Sequence, residues 1–177
     1  MQLYLDCDGV LADLDRAATE LLGMPPRAFE MRHGICAFWR EIAPLPDSYG
    51  KLPLMPDAMR LFETVRHLDP VTLTELPRGK WAAPQKVRWA AAHFPDTRIL
   101  TVMTVDKRNH AREGDILVDD QLKHAHLWTA AGGIFVHHPD AESTIARLAE
   151  LGVPVRDIDR HHRHQMPVAN RMRGAHG

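Results

Sequence analysis

The sequence predicts an α/β protein with a doubly wound, mostly parallel sheet. Short apolar runs alternate with segments of helical periodicity along most of the 177 residues. The apolar runs lack the alternating polar face of a half-exposed strand, which is typical of parallel strands covered by helices on both sides. Several of these runs end in acidic, hydroxyl or basic residues, and ligands of such sheets bind beyond the carboxyl ends of the strands.

The elements follow one another in the order that this fold requires. The first strand is predicted at residues 2–6 and the first helix at 13–23, with Gly23 as its stop. Residues 24–55 contain many prolines and a short aromatic helix around AFWREI, a composition that suits an insertion better than a core element. The later helices are predicted at 56–68, 83–94, 121–131 and 140–152, and the later strands at 70–74, 98–103, 114–120 and 133–138.

Three regions are predicted from this pattern. Residues 1–155 form the α/β core, and residues from about 16 to 55 form a small helical cap inserted into it. Residues 156–177 are rich in Arg and His and have almost no apolar periodicity, so we expect a disordered or loosely attached tail. Its histidines are compatible with a transition-metal site, but a solvated tail is the interpretation that we favour.

Composition excludes several classes of function. Apolar residues make up 45% of the chain, enough for a sizeable core, and the net charge of −1 gives no field that selects nucleic acid or an anionic membrane. No apolar stretch is long enough to span a bilayer, and the N-terminus lacks the basic region of a signal peptide. Cys7 and Cys36 form neither a disulfide framework nor a zinc spacing. We expect a cytoplasmic protein without stable nucleic-acid binding; the oligomeric state stays open.

Charged and hydroxyl side chains follow the ends of the predicted strands. The first strand, within LYLDCDGVLADLD, ends at Asp6 with Asp8 just beyond it, and the second ends at Thr74. Lys107 lies in the loop after the third strand, and the run ILVDD ends at Asp119 and Asp120. If the strands are parallel, these groups share one rim, where four carboxylates would repel one another without a cation. Oxygen ligands of this kind suit Mg²⁺ together with a phosphate.

This set of residues is suited to phosphoryl transfer. Asp6 is predicted to act as a nucleophile that forms an aspartyl-phosphate, and Asp8 to protonate the leaving group and then activate water. Mg²⁺, Lys107 and Thr74 would neutralise the charge of the transferring group.

LDCDGVLAD, Thr74, Lys107 and ILVDD, in this order, resemble the four motifs of the haloacid dehalogenase (HAD) superfamily, over roughly residues 2–138. The resemblance implies a Rossmann-like core with the nucleophile at Asp6 and the acid/base at Asp8. It also implies that Asp8 contributes its backbone carbonyl to a Mg²⁺ site, in which one residue of the pair Asp119 and Asp120 binds directly and the other through water. The aspartate at position 8 implies phosphatase rather than dehalogenase chemistry.

The finer pattern is similar to the 5′(3′)-deoxyribonucleotidase branch of this superfamily. The matching stretches are FWREI…LPLMPDA, LTELPRGKWAAPQKVRWAAAHFP and GDILVDDQLKHAHLWTAAGGIFVHH. The resemblance implies a nucleoside or deoxynucleoside monophosphate as substrate, with Phe38 and Trp39 of the cap stacking on the base. Two residues depart from the pattern: Gln121 stands where arginine is expected, and Glu75 stands beside Thr74 where a small or hydroxyl residue is expected.

Each assignment has a plainer alternative. Asp6 and Asp8 could be solvated acids of a strand-end turn, although an EF-hand loop is excluded because Val10 occupies the position of its third acid. Lys107 could be a surface lysine, and Phe38 and Trp39 could pack the cap. Asp13 and Asp15 are interpreted as helix-start residues. The competing lysines are Lys80, Lys123 and Lys86, the last interpreted as solvated or structural.

Three rival functions remain. The first is a phosphatase for another small phosphate ester. The second is a protein that binds a phosphorylated ligand or another protein without turnover. The third is a metal-dependent nucleotide-sugar transferase, which would use the Asp6–Asp8 pair for metal binding only and would form no phosphoenzyme.

Overall fold

The computed structural model describes residues 1–79 and 81–158 of the chain. Lys80 lies outside these residues, as does all of the predicted tail beyond residue 158. Within the described part of the chain, no helix combines the length and the apolar character needed to cross a bilayer.

The predicted parallel sheet is confirmed. Its strands, in chain order, are β1 (Leu3–Leu5), β2 (Val71–Glu75), β3 (Ile99–Val102), β4 (Ile116–Asp119) and β5 (Ile134–His137). They pair in parallel in the order β3-β2-β1-β4-β5, with Tyr4 opposite both Val71 and Leu117. The central strand β1 therefore lies between β2 and β4, both of which are distant from it in sequence.

Helices connect and cover the strands. In chain order they are α1 (Leu14–Leu22), α2 (Pro26–His33), α3 (Ile35–Ile42), α4 (Ala58–Val65), α5 (Ala82–His93), α6 (Ala125–Ala130) and α7 (Ala141–Glu150). The helices predicted at 56–68 and 121–131 are partly 3₁₀ helix, at Arg66–Leu68 and Leu122–His124. Such tight turns are frequent at helix ends, where the last groups lack α-helical partners.

The helix α2 was not predicted, nor was a 3₁₀ helix at Thr104–His110, which includes Lys107. α2 is entered through Pro25 and Pro26 and ends at Gly34, and Pro26 is its single buried residue. Its polar character leaves no apolar stripe to signal a helix, so the sequence of this segment looks like a loop. Pro at the first helical position and glycine after the last are the local signals that were present.

Both faces are buried at the three central strands, as their continuous apolar runs predict, whereas the edge strands β3 and β5 are mostly only partly buried. Leu3 and Leu5 point to a large core cluster on one face, and Tyr4 points to a second cluster with Leu73, Leu117 and Trp128 on the other. The alternation follows from the pleat, because successive side chains of a strand leave opposite faces.

The inserted segment contains α1, α2 and α3, and its two ends lie side by side where it leaves and re-enters the core. The Asp13 amide donates to the Pro53 carbonyl at 2.8 Å, and the Met55 amide donates to the Leu11 carbonyl at 2.8 Å. The Asp13 side chain accepts a hydrogen bond from the Arg16 amide, so Asp13 caps α1 as the sequence indicates. The boundaries of a separate cap domain remain a prediction.

Candidate active site

The acidic residues lie at the point where the direction of the sheet reverses. The chain runs outward from β1 through β2 to β3, and then crosses to β4 on the other side of β1. Asp6 follows β1 and Asp119 ends β4, so the two residues face each other beyond the carboxyl ends of neighbouring strands. Ligands of doubly wound sheets bind in this crevice.

A tight turn after β1 brings the next residues back over the strand ends. The amides of Leu11 and Ala12 both donate to the Cys7 carbonyl at 2.8 Å. Gly9 has a φ of +78°, which favours glycine, and a Cβ at this position would lie 2.5 Å from Cγ of Asp120. Glycine is therefore required at position 9 for two reasons: its backbone conformation, and the space that Asp120 fills.

Three carboxylates form one cluster. Oxygens of Asp6, Asp119 and Asp120 all lie within 4.8 Å of one another, with Asp6 and Asp119 buried and Asp120 partly buried. Burial and the charge of Asp6 raise the pKa of Asp119 to about 6 and that of Asp120 to about 7. A cation bound among such carboxylates stabilises their charged form, because it replaces the protons that they would otherwise hold.

The cluster fits a hard divalent cation. Both oxygens of Asp119 already have partners, because Oδ2 accepts from Lys107 at 2.6 Å and Oδ1 accepts from the Gln121 amide at 2.8 Å. In Asp120, Oδ2 accepts from the Gln121 side chain at 2.7 Å, whereas Oδ1 is buried without a hydrogen-bond partner among the described residues. A buried, unpartnered carboxylate oxygen beside another carboxylate is the kind of ligand that Mg²⁺ prefers.

Lys107 is buried inside this cluster, where the sequence predicts it. Its side chain is 7% exposed, and Nζ lies 3.0 Å from Asp6 Oδ1 in an ion pair without hydrogen-bond alignment. Burial would lower the pKa of Lys107, but the carboxylates of Asp6, Asp119 and Glu75 raise it above its ordinary value. The lysine therefore carries a positive charge beside Asp6, and the interpretation of Lys107 as a surface lysine is wrong.

The departure at Glu75 has a structural explanation. Its Oε1 lies 3.5 Å from the Lys107 ammonium, and its Oε2 accepts a hydrogen bond from the Thr104 hydroxyl at 2.6 Å. Glu75 is thus compensated by Lys107; Lys80, which proximity in sequence suggests as a partner, lies outside the described residues. The other departure, Gln121, bridges Asp119 and Asp120 through its backbone and side-chain amides.

On the other side of the site, Asp8 and Thr74 share a second buried lysine. Lys86 Nζ donates to Asp8 Oδ2 at 2.6 Å and to Thr74 Oγ1 at 2.8 Å. Lys86 is 1% exposed, so its interpretation as a solvated lysine is wrong. The six residues Asp6, Asp8, Thr74, Lys107, Asp119 and Asp120, predicted from the sequence to share one rim, thus lie at the carboxyl end of the sheet.

A periodicity signal for Lys86 was present in the sequence. The buried residues of α5 include Ala82, Lys86, Trp89 and Ala90, which are spaced as one face of a helix. A lysine on the core-facing stripe of a helix needs a charged partner, and α5 starts shortly after the strand that ends near Thr74.

Phe38 of α3 does not offer an open stacking face. Phe38 is 3% exposed and packs with Ala18 and Ile42, and its ring lies edge-on to that of Trp39 at 4.9 Å between centroids. Trp39 is partly buried against the same cluster. In this structure Phe38 is a packing residue of the inserted helices, so its predicted contact with a base lacks a free ring face.

An apolar cavity lies nearby, between α1 and the segment 45–52. Its volume is about 210 Å³. One wall is Tyr49, whose ring centroid is 4.5 Å from the Lys86 ammonium, so the cavity adjoins the Asp8 side of the site. The lining residues are Leu14, Ala17, Ala18, Leu21, Ile42, Leu45, Ser48, Tyr49 and Leu52.

Known proteins share the fold rather than the sequence. No protein-family model and no curated protein matches the sequence. Among solved structures, L-2-haloacid dehalogenase from Xanthobacter autotrophicus is similar with a TM-score of 0.53 and 12% identity, over 86% of this chain and 83% of that chain. A HAD-superfamily hydrolase from Ehrlichia chaffeensis is similar with a TM-score of 0.55 and 9% identity, over 85% of this chain and 96% of that chain.

Proposed function

From the fold that the chain shares with hydrolases of the HAD superfamily, we propose that it is a Mg²⁺-dependent phosphomonoester hydrolase. The observation that carries the proposal is the cluster of Asp6, Asp119 and Asp120 with a buried, charged Lys107 among them. It joins a nucleophile, anionic ligands for a cation and a positive charge at the carboxyl end of the sheet.

In the first half of the proposed reaction, a carboxylate oxygen of Asp6 attacks phosphorus and the ester P–O bond breaks. Asp8 gives a proton to the departing alkoxide, so that the alcohol leaves neutral and an aspartyl-phosphate remains on Asp6. Lys107 next to Asp6 stabilises the negative charge of the phosphoryl group during the transfer.

In the second half, water attacks phosphorus of the aspartyl-phosphate and the bond to Asp6 breaks. Asp8, now a carboxylate, takes the proton from this water, which restores its first state. Inorganic phosphate leaves, and Asp6 returns as a carboxylate. The Thr74 hydroxyl, buried at the end of β2, is assigned to a phosphate oxygen.

Asp6, Asp120 and the backbone carbonyl of Asp8 would hold the cation, and Asp119 would support it through its hydrogen bonds to Lys107 and Gln121. When bound, the divalent ion supplies Lewis-acid stabilisation of negative charge on the phosphoryl oxygens.

The substrate that we favour is a nucleoside or deoxynucleoside monophosphate. The apolar cavity beside Tyr49, about 210 Å³ in volume, has room for a planar ring. Its wall residue Tyr49 contacts Lys86, which in turn donates to the Thr74 hydroxyl. Trp39 stays a candidate for contact with the base at the edge of the inserted helices, and Phe38 would take part only if α3 repacked.

The experiment that tests the activity is phosphate release from a panel of nucleoside monophosphates, sugar phosphates and generic esters, with Mg²⁺ and with EDTA. We expect turnover that EDTA removes and that Asp6→Asn lowers by at least about 10³-fold. Asp15→Asn, an acid of the first turn of α1, is the matched control. An Asp6→Asn variant with full turnover rules out the covalent mechanism.

The same panel separates the alternatives in substrate. Turnover of nucleotides above all other esters supports the nucleotidase assignment. Turnover of sugar phosphates or generic esters alone keeps Asp6 and Asp8 in their roles and moves the substrate to another small phosphate ester. Mg²⁺ binding without turnover of any ester favours a protein that binds a phosphorylated ligand.

A further inference from the structure

We infer that Lys86 is a positioning residue of this site: its buried ammonium turns the Thr74 hydroxyl and the Asp8 carboxylate toward the substrate. The inference rests on the proposed phosphomonoester hydrolysis. It gives a role to a lysine that lies on a helix and outside the strand-end motifs.

The ammonium of Lys86 is removed from water and held by two hydrogen bonds and a ring contact. A lysine ammonium has three donors and no acceptor, and Nζ uses donors on Asp8 Oδ2 at 2.6 Å and on Thr74 Oγ1 at 2.8 Å. The Tyr49 ring lies 4.5 Å from Nζ, within the range of a cation–π contact. Because a buried charge is costly unless it is paired, these contacts hold Lys86 in one place.

Lys86 fixes the direction in which the Thr74 hydroxyl can donate. An ammonium cannot accept a hydrogen bond, so the hydroxyl oxygen of Thr74 must act as the acceptor toward Lys86. Its own hydrogen then points elsewhere, and no hydrogen bond among the described residues uses it. Thr74 is fully buried at the end of β2, so this hydrogen is free for a phosphate oxygen in the crevice.

Lys86 also decides which oxygen of Asp8 can act. Oδ2 accepts from Lys86, whereas Oδ1 is buried and has no hydrogen-bond partner among the described residues. The carboxylate is therefore held by one oxygen, and the other is left for the leaving-group oxygen and later for water. A general acid contributes only when it is held within hydrogen-bond reach of the atom that it protonates.

The Tyr49 side of this arrangement is fastened to the same helix. Gln85 Oε1 accepts from the Tyr49 amide at 2.9 Å and from the Ser48 hydroxyl at 3.4 Å. Tyr49 is 2% exposed, so its ring covers Lys86 and excludes water from it. The segment that returns from the inserted helices thus closes the site on the Asp8 side.

The test compares two esters that differ in the basicity of the leaving group. Phenyl phosphate releases a more basic phenolate than 4-nitrophenyl phosphate does, so its hydrolysis depends more on the proton from Asp8. We would measure kcat and KM for both esters with the full chain, Lys86→Met, Lys86→Gln and Lys123→Met, the last being the control at an exposed lysine. Thermal unfolding checks that each variant is folded.

If Lys86 positions Asp8, Lys86→Met lowers kcat for phenyl phosphate by about 10²-fold and for 4-nitrophenyl phosphate by about tenfold or less. The ratio of kcat for 4-nitrophenyl phosphate to kcat for phenyl phosphate therefore rises in Lys86→Met. Lys86→Gln raises this ratio as well, and Lys123→Met leaves it at the wild-type value. An equal loss for both esters, or no loss, overturns the inference, because a lysine that only stabilises the fold does not alter leaving-group dependence. If neither Lys86 variant folds, Tyr49→Leu must raise the ratio, and an unchanged ratio overturns the inference.

A second readout needs no turnover. The affinity of the full chain for inorganic phosphate, measured by ³¹P NMR in the presence of Mg²⁺, falls on the order of tenfold in Lys86→Met if the Thr74 hydroxyl loses its direction. Equal affinity in wild type and variant overturns that part of the inference. If the wild type binds phosphate but hydrolyses no ester, the proposed activity fails while this readout still decides the role of Lys86; if it binds no phosphate, both fail.

Discussion

The Asp120 carboxyl group fills the space that a side chain at position 9 would need. The backbone at Gly9 is in the left-handed region, and the Asp120 carboxyl group lies where a Cβ would be. Two separate costs follow for any larger residue: the strain of a positive φ and the displacement of a ligand oxygen. They can be separated experimentally, because Gly114 has nearly the same φ, +79°, and open space around it.

We expect Gly9→Ala to lose Mg²⁺ affinity by about tenfold or more, since the methyl group must push Asp120 out of the cluster. Gly114→Ala is the matched control and carries the backbone strain alone, roughly 1–2 kcal/mol of unfolding free energy. Mg²⁺ titration by calorimetry and urea unfolding of both variants give the two quantities. Equal Mg²⁺ affinity in the wild type and the two variants would show that Asp120 does not hold the cation.

A buried histidine gives the molecule a pH-dependent stability. His138 is 3% exposed, its Nδ1 lies 2.8 Å from the Thr144 hydroxyl, and its Nε2 has no partner among the described residues. The pKa of His138 lies below its ordinary value, mainly because of burial and in smaller part because of His137. The charges of Asp57 and Asp140 oppose this shift without cancelling it. The unfolded chain therefore binds the proton more strongly, and stability falls as pH drops below about 6.5.

We expect the wild type to lose more unfolding free energy between about pH 7.5 and about pH 5.5 than His138→Asn does. Asp119 and Asp120, whose pKa values are raised, act in the opposite direction in this range, and comparison of the two proteins cancels their contribution. Urea unfolding at both pH values is the measurement. Parallel losses in the two proteins would mean that the pKa of His138 is the same in the folded and the unfolded state.

Most of the site residues that the sequence identified stand at strand ends, and Lys107 follows β3 by a few residues. Asp6, Thr74 and Asp119 were found because an apolar run ends beside each, and parallel pairing then brings the ends together. Lys86 and Tyr49 were missed because they approach the site from a helix and from an irregular segment. Their contribution depends on how α5 and the segment 45–52 pack, which no local pattern specifies.

At the scale of elements, the junction between α6 and β5 depends on close packing at Gly133. A Cβ on Gly133 would overlap the indole of Trp128, which is itself 1% exposed and packs edge-on against Tyr4 at 5.3 Å between ring centroids. The glycine is needed here for space alone, since its φ is not positive. Trp128 in turn closes the face of the sheet that α6 covers.

We expect Gly133→Ala to destabilise the fold by about 1–3 kcal/mol, because a well-packed core cannot take up the extra methyl group. In a Trp128→Phe background the smaller ring leaves room, so the same change costs less. Thermal unfolding of the four proteins in this double-mutant cycle gives the coupling. Additive losses would show that the overlap is relieved without moving Trp128.

Elements with a clear period were predictable, and those held by long-range contacts were not. The strands and α4, α5 and α7 match their sequence patterns to within a few residues, since the three central strands bury both faces and each of these helices buries one stripe. α2 buries a single residue and is held by α3, with which it packs, so its sequence carries no periodic signal.

At the scale of the whole molecule, the cluster couples cation binding to folding. Without a cation, Asp6, Asp119 and Asp120 repel one another in a buried site. The unfolded chain has no such cluster, because Asp6 lies more than one hundred residues from Asp119 in sequence. A ligand that binds only the folded state raises its stability by mass action.

We expect Mg²⁺ at a hundred times its dissociation constant to raise stability by about 2.7 kcal/mol. For a domain of this size each kcal/mol corresponds to about 2–4 °C in Tm. Asp120→Asn should lose most of this increase, and KCl at matched ionic strength should not reproduce it. The same Tm with Mg²⁺ as with KCl would remove the cluster as a cation site.

The pairing of the central strand also determines the order in which the sheet can form during synthesis. Leu5 of β1 pairs with Thr72 and with Val118, so the strand that precedes Asp6 is made first but gains its second neighbour only when β4 has been synthesised. Until β4 has been synthesised, one edge of β1 stays open, and open edges of long-range parallel sheets fold slowly and invite association with other chains. A cation at the cluster can therefore stabilise the finished sheet but cannot guide its early assembly, because Asp119 and Asp120 are synthesised long after Asp6.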